Sequence, residues 1–120
     1  MINVLGIGSS PRLRDKHAMF DSLSGIMLQD VLEAAREASE DCETEIIQLA
    51  RMNIQPCRGC FSDIETRCHY LCDCYDDDFV TVAQKIIQAD GVVFATPTYM
   101  FGMSGILKQF LERWISFKAP

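Results

Sequence analysis

Short apolar runs that suit buried strands alternate along this chain with segments of helical periodicity. Two of the runs, Ile2 to Gly8 and Gly91 to Thr96, are nearly continuous in apolar residues, as strands buried on both faces are. A third, weaker strand is predicted over Glu43 to Leu49. Strands that alternate with helices predict parallel pairing through helical crossovers, in a sheet that is covered on both faces.

Three further segments repeat apolar residues at helical spacing. The first spans Ser24 to Glu40, with Ser22 or Ser24 as its N-cap. The second begins at Phe79, after three aspartates that are interpreted as a solvated helix start, and the third carries an apolar stripe from Ile106 to Ile115. The predicted order is β-α-β-loop-α-β-α, in one domain over residues 1–120 with a cysteine-rich loop at 51–75.

Charge and hydropathy exclude several classes of function. The net charge is −6 and no basic face is visible in the sequence, which argues against nucleic-acid binding because phosphates must be neutralised. No stretch reaches the roughly 18 to 20 apolar residues that a membrane span needs. The first residues carry no cationic region before their apolar run, so they are read as a strand and not as a signal peptide. We expect a cytoplasmic protein that binds neither nucleic acid nor membranes.

The six cysteines are many for a cytoplasmic chain of this length, and five of them fall within 18 residues. In a reducing compartment such clustering indicates metal or redox chemistry before structural disulfides. The sixth, Cys42, is interpreted as a small buried side chain. The five clustered cysteines are Cys57, Cys60, Cys68, Cys72 and Cys74.

The loops that follow the first and third strands are the expected ligand site, because open α/β sheets bind ligands at the carboxyl ends of their strands. The first loop reads Gly8-Ser9-Ser10-Pro11-Arg12 and continues to Ser22-Leu23-Ser24 at a helix start. Hydroxyls, helix N-terminal N–H groups and a guanidinium suit a phosphomonoester, although an ordinary strand-to-helix turn fits equally well. The chain has neither G-x-G-x-x-G nor a P-loop, which argues against a dinucleotide or ATP site.

Four segments, in order along the whole chain, resemble the NADPH-dependent FMN reductase family. The resemblance implies a flavodoxin-like doubly wound parallel sheet in a three-layer α/β/α arrangement, here without its last two strands. The segment with paired cysteines is similar to the iron–sulfur flavoprotein branch of that family. The four segments are Ser10-Pro11-Arg12 before a helix, Pro56-Cys57-Arg58-Gly59-Cys60, Ala89-Asp90-Gly91 leading to Thr96-Pro97-Thr98-Tyr99, and the helix from Ser104 to Arg113.

The same resemblance implies how FMN would be held. Ser10, Arg12 and Ser24 would bind its phosphate, with Ser22 as a helper. Lys16 and His17, in an insert of the first loop, are read as solvated. For Met100 and Phe101 the alternative is core or interface packing. The residues implied to lie along the isoalloxazine are Pro97, Thr98, Tyr99, Met100, Phe101 and Gly102.

The cysteine loop departs from the related flavoproteins, because a third closely spaced cysteine is missing after Cys60. A 4Fe–4S cluster remains one interpretation, a structural zinc site on the same thiolates is another, and free thiols or a redox disulfide between Cys57 and Cys60 are a third. Cys74 is the reserve ligand. The expected ligands are Cys57, Cys60, Cys68 and Cys72.

The function that the resemblance implies is electron transfer. FMN would accept hydride from NAD(P)H, or electrons from a cluster, and reduce a quinone, a free flavin or a redox protein. The alternative is a non-catalytic redox or metal-sensing module in which the cysteine loop is the active element. The strand over 91–96 would be an exposed sheet edge, so we expect either a homo-oligomer or a longer chain that covers it.

Overall fold

The computed structural model describes residues 1–13, 22–60, 68–72 and 75–118. Within these ranges three parallel strands form one sheet in the order β2-β1-β3, as predicted. The strands are β1 (Ile2–Gly8), β2 (Cys42–Gln48) and β3 (Gly91–Ala95). Gly8, the last residue of β1, lies opposite Gln48 of β2 and Ala95 of β3, so all three strands end at one edge of the sheet.

In the described ranges three α-helices connect or follow the strands, close to where the sequence predicted them. They are α1 (Leu23–Ala38), α2 (Phe79–Gln88) and α3 (Gly105–Glu112), and a 3₁₀ segment, Arg113–Lys118, continues from α3. The structure decides between the two predicted caps of α1, because the Ser22 hydroxyl accepts the hydrogen bond of the Gly25 amide. Ser24 instead lies inside the first turn of the helix.

The helices cover both faces of the sheet, which gives the expected three layers. Residues that alternate along β1 and β2 pack with α2 and α3 on one face. On the other face Gly6 lies under α1, where an added Cβ would stand 2.8 Å from Leu32 Cδ1 and 3.0 Å from Leu28 Cδ1. The close approach of α1 therefore requires glycine at this position. The core on the α2 and α3 side comprises Leu5, Ile7, Ile47, Leu49, Phe79, Val82, Ala83, Leu107 and Phe110.

The interpretation of the aspartates before α2 as a solvated helix start is wrong for two of the three. The side chain of Asp77 is fully buried and forms an ion pair with Arg113. Asp78 accepts a hydrogen bond from the Asn53 amide at 2.7 Å. Only Asp76 is exposed. Asp77 and Asp78 therefore attach the loop that follows β2 to the start of α2, because they accept hydrogen bonds from the Gln55 and Asn53 amides.

The third strand leaves one of its edges open in the described part of the chain, since β3 pairs only with β1 there. Phe94, in the middle of this strand, is 44% exposed. No helix among the described residues is long and apolar enough to cross a lipid bilayer.

Candidate functional site

The loops that follow β1 and β3 start side by side, tied together by a buried serine. Ser9 is fully buried, its amide donates to the Ala95 carbonyl at 3.0 Å, and its hydroxyl donates to the same oxygen at 2.7 Å. Two donors on one carbonyl fix the position at which each loop leaves the sheet. No role was predicted for Ser9 from the sequence, although its place directly after the first strand was a usable signal.

The first of these loops borders a polar cavity beside the start of α1. Ser10 is buried and accepts a hydrogen bond from the Arg12 amide at 3.1 Å, which closes the turn and directs the exposed Arg12 outward. The cavity has a volume of about 210 Å³ and contains Arg12 and Ser22 of the predicted phosphate residues, whereas Ser10 and Ser24 do not line it. Lys16 and His17 lie outside the described residues. The lining residues are Arg12, Leu13, Ser22, Gly25, Gln29, Gln48 and Arg51.

Gln48 and Arg51, neither of them predicted from the sequence, reach this cavity from the carboxyl end of β2. The Gln48 side chain lies over Gly8, where an added Cβ would stand 2.4 Å from its Oε1. A side chain at position 8 would therefore displace the Gln48 amide. Once the strand order is known, residues that leave β2 at the same edge are expected near the first loop.

The second loop ends in a tight turn with a strained backbone. Tyr99 and Gly102 exchange two hydrogen bonds, from Tyr99 N to Gly102 O at 2.9 Å and from Gly102 N to Tyr99 O at 3.0 Å. Met100 and Phe101 between them have φ of 46° and 67°, in the left-handed region that side chains with a Cβ rarely adopt. Their side chains are 91% and 99% exposed, so the alternative of core packing is wrong. Strain at exposed apolar residues is typical of a binding site.

The base of the second loop is closed by Thr96 and by the start of α3. The Thr96 hydroxyl accepts from the Ser104 amide at 3.0 Å and donates to the Pro97 carbonyl at 2.9 Å. Ser104 is buried, and its own hydroxyl caps α3 by accepting from the Leu107 amide. Thr98 is exposed between these points. The hydrogen bonds of Thr96 and Ser104 therefore fix both ends of the loop that carries the Tyr99 turn.

A larger cavity, of about 370 Å³, lies at the opposite edge of the sheet, where the strands begin. It contains none of the predicted site residues, and the ion pair between Lys85 and Glu45, at 2.5 Å, borders it. Parallel α/β sheets bind ligands at the carboxyl ends of their strands, so we assign the site to the smaller cavity.

Four of the five clustered cysteines lie in the described part of the loop, all of them half-buried free thiols. Burial, followed by the charges of Cys72, Cys57 and Cys60, raises the pKa of Cys68 above its usual value. Nevertheless, no three cysteine, histidine or carboxylate side chains of the described residues are grouped closely enough to hold a metal ion. Cys74 lies outside the described residues. The donor set therefore suits a thiophilic metal centre, but the thiols are not assembled as ligands.

The first two cysteines lie on a turn that is typical of thiolate ligands. The Gly59 amide donates to Cys57 Sγ at 3.3 Å, and Gly59 has φ of 71°, which favours glycine. Backbone N–H donors to sulfur stabilise the negative charge of a thiolate. No disulfide joins Cys57 and Cys60 in this structure.

The cysteine loop is attached to the end of α3 by a fully buried arginine. Arg113 donates through Nε to Cys72 Sγ at 3.2 Å, through Nη2 to the Cys72 carbonyl at 3.0 Å and through Nη1 to the Gln55 carbonyl at 3.3 Å. Its Nη1 also forms the ion pair with Asp77. The guanidinium carbon lies 4.5 Å from the centre of the Tyr75 ring.

Hydrogen bonds hold both members of this buried ion pair in the charged state. Burial by itself raises the pKa of Asp77, but donors from Arg113, the Gln55 amide and the Phe79 amide more than compensate, and the pKa lies below its usual value. For Arg113, burial lowers the pKa and the bonds to Asp77 and Cys72 raise it above the usual value. Arg113 ends one of the four family-like segments of the sequence, but no pattern in the sequence indicated its partner.

Comparisons with known proteins agree with the architecture. The model of the family described as NADPH-dependent FMN reductase matches residues 2–119. An iron–sulfur flavoprotein of Methanocaldococcus jannaschii is 31% identical over 93% of this chain and 51% of its own length. The Bacillus subtilis protein YwqN, provisionally named an NAD(P)H-dependent FMN-containing oxidoreductase, is 35% identical over 71% of this chain and 43% of its own. The chain thus spans about half the length of the curated relatives it matches.

Solved structures show the same fold. A flavone reductase superposes with a TM-score of 0.65 and 26% identity over 94% of this chain and 30% of its own. RosB, solved with a bound riboflavin-5'-phosphate derivative, superposes with a TM-score of 0.73 over 95% of this chain and 42% of its own. At 18% identity the RosB likeness concerns the fold alone.

Proposed function

The chain belongs to the NADPH-dependent FMN reductase family, and from this membership we propose that it forms the FMN-binding part of an NAD(P)H-dependent oxidoreductase. The observation that carries the proposal is the pair of hydrogen bonds from Ser9 to the Ala95 carbonyl, because they bring the two loops to a common origin. When bound, FMN supplies the hydride and electron-transfer chemistry. The chain's own residues bind and orient it.

In this proposal the FMN phosphate lies in the cavity beside the start of α1. Arg12 would supply a positive charge. The Ser22 hydroxyl accepts a hydrogen bond from the Gly25 amide and would donate one of its own to a phosphate oxygen. The helix N-terminus adds unpaired N–H groups. Ser10 shapes the turn, and Ser24 offers a hydroxyl from the first turn of α1.

The isoalloxazine ring, in the same proposal, lies against the second loop from Pro97 to Gly102. Met100 and Phe101 adopt left-handed backbone conformations and are almost fully exposed, so neither the backbone of the turn nor its two apolar side chains are buried in the core. Backbone N–H and C=O groups at such a turn can meet the polar edge of the ring. The bonds of Thr96 hold this surface in place without help from the ligand.

We further propose that the chain forms a homo-oligomer and reduces a small molecule or a redox protein. Met100 and Phe101 of the turn and Phe94 of β3, a strand that pairs only with β1 among the described residues, are exposed apolar side chains that a second copy could bury. The net charge of −6 supports the expectation that neither nucleic acid nor membranes are partners. The thiols of the loop suit the reducing conditions of the cytoplasm.

The cysteine loop, we propose, binds a thiophilic metal centre, with a 4Fe–4S cluster before zinc. Cys57, Cys60, Cys68 and Cys72 would supply the thiolates, and the loop would draw them together on binding. The Gly59 amide on Cys57 Sγ and the Arg113 donor on Cys72 Sγ suit thiolate sulfur.

The phosphate assignment is tested by replacing Arg12 with alanine and measuring the FMN dissociation constant by flavin fluorescence. Loss of a charge-assisted hydrogen bond of about 1.5–3 kcal/mol weakens binding by roughly 10- to 100-fold. Arg36→Ala is the matched control, because Arg36 lies in the last turn of α1, at the end of that helix away from Ser22 and the cavity, and bonds Thr44. Equal binding by both variants would refute the assignment. Metal binding without FMN binding would favour the metal module instead.

A further inference from the structure

We propose that Arg51, which follows β2, is a second phosphate-binding residue of the FMN site and makes that site select phosphorylated over unphosphorylated flavin. The inference rests on the phosphate assignment of the proposed function and does not involve the cysteine loop. Arg51 lines the cavity of about 210 Å³ that also contains Arg12 and Ser22. The family resemblance implied phosphate ligands only from the first loop and the start of α1, so a residue after β2 is an addition to that set.

The backbone that carries Arg51 is fixed by packing and by a closed turn. Arg51 is the last residue of a short 3₁₀ turn, Leu49–Arg51, which follows β2 directly. Leu49 is buried and packs in the core with Ile47 of β2. The Met52 amide donates to the Leu49 carbonyl at 3.0 Å and closes the turn. The exposed Arg51 side chain therefore starts from a defined point at the edge where the strands end.

Three separate elements contribute residues to the cavity. Arg12 comes from the loop after β1, Ser22 caps α1, and Gln48 and Arg51 come from the end of β2. The Gln48 side chain lies over Gly8, and its amide group can donate N–H bonds to an anion. A group bound in this cavity is therefore surrounded by donors from all three elements, and Arg51 supplies the charged donor of the third.

The charge of the cavity is opposite in sign to that of the chain. The chain has 17 acidic and 11 basic residues, yet the described lining of the cavity includes two arginines, Arg12 and Arg51, and no acidic residue. The larger cavity at the opposite edge is lined by two carboxylates, Glu43 and Glu45, and by one cation, Lys85. Of these two cavities, only the smaller has a described lining of net positive charge, as an anion site requires.

The charge of a phosphomonoester explains why a second arginine is needed. At pH 7 such a group carries a charge of about −1.5 to −2, so a single guanidinium neutralises only part of it. Arg51 supplies the remaining counter-charge, and a guanidinium can bind two phosphate oxygens at once. Riboflavin ends in a hydroxyl where FMN carries its phosphate, so it offers the two arginines no counter-charge. Arg51 therefore contributes to the affinity for FMN and not to that for riboflavin.

The test measures the dissociation constants of FMN and of riboflavin by flavin fluorescence in Arg51→Gln, Arg51→Lys and Arg36→Gln. We expect Arg51→Gln to weaken FMN binding about 10- to 100-fold and to leave riboflavin binding unchanged. Arg51→Lys keeps the charge and should lose less. Arg36→Gln is the matched control, because it removes the same charge at the far end of α1. Equal FMN binding by Arg51→Gln and Arg36→Gln, or an equal loss for both flavins in Arg51→Gln, overturns the role of Arg51.

A measurement on the unsubstituted chain covers the case in which an Arg51 variant does not fold. The arginine Nε–H signals are followed by NMR during titration with FMN and, separately, with riboflavin. We expect the signals of Arg12 and Arg51 to shift along one binding curve with FMN and to stay in place with riboflavin. A shift of Arg12 without Arg51 overturns the role of Arg51 and leaves the proposed function standing. If the unsubstituted chain does not bind FMN, the proposed function fails, and the role of Arg51 fails with it.

Discussion

The sheet-edge loops and the cysteine loop lie in one small chain but are stabilised by different means. The sheet-edge loops are fixed by backbone groups, with Ser9 on the Ala95 carbonyl and Thr96 on the Ser104 amide. The cysteine loop is held by a buried charge, since Arg113 bonds residues that lie 36 to 58 positions away along the chain. The first arrangement follows from strand order, whereas the second depends on one long-range ion pair. We expect mutations to damage the second region far more.

The largest effect is expected at Asp77, the carboxylate partner of Arg113. Asp77→Ala leaves a buried guanidinium without its counter-charge and should lower the free energy of unfolding by about 3–5 kcal/mol, measured by urea denaturation. The neighbouring Asp76 is exposed, so Asp76→Ala should change the free energy of unfolding by less than about 0.5 kcal/mol. Similar losses in the two variants would show that the ion pair does not hold the loop.

A pH dependence of smaller size should follow from the same residue. The folded-state pKa of Asp77 lies below its unfolded value, so its contribution to stability is complete above the ordinary pKa of about 3.9 and is lost as pH falls through the folded value. Unfolding followed between pH 6 and pH 2 should therefore show a steeper loss of stability in the native chain than in Asp77→Asn. Parallel curves would mean that Asp77 has the same pKa in the folded and unfolded states.

The smallest effect is expected in the sheet-edge loops, and with the opposite sign. Changing Met100 to Asn and Phe101 to Gly supplies residues that tolerate the left-handed backbone of the turn. The double variant should raise the free energy of unfolding by about 1–2 kcal/mol, because strain is relieved while two exposed side chains are lost. If the melting temperature falls instead, the two side chains are packed in solution, and the proposed oligomer would explain it.

Sequence reasoning succeeded where local pattern determines the structure. The apolar run of β3 predicted its bounds within one residue, the periodicity of α2 predicted where that helix begins, and the strand order followed from the family resemblance. The same reasoning failed at Asp77, because a carboxylate before a helix is usually solvated and nothing nearby indicates a partner at Arg113. Ser9 was missed for another reason, since its burial depends on the pairing of β1 with β3.

The central claim is that the loops after β1 and β3 form one FMN site, and amide NMR during an FMN titration of the chain tests it directly. The account predicts that the amides of Ser10 and Arg12, together with those of Tyr99 and Gly102, shift along a single binding curve with one dissociation constant. The amides of Asn3 and Glu45 at the opposite edge of the sheet should remain in place. Shifts confined to one loop, or to that opposite edge, would contradict the account.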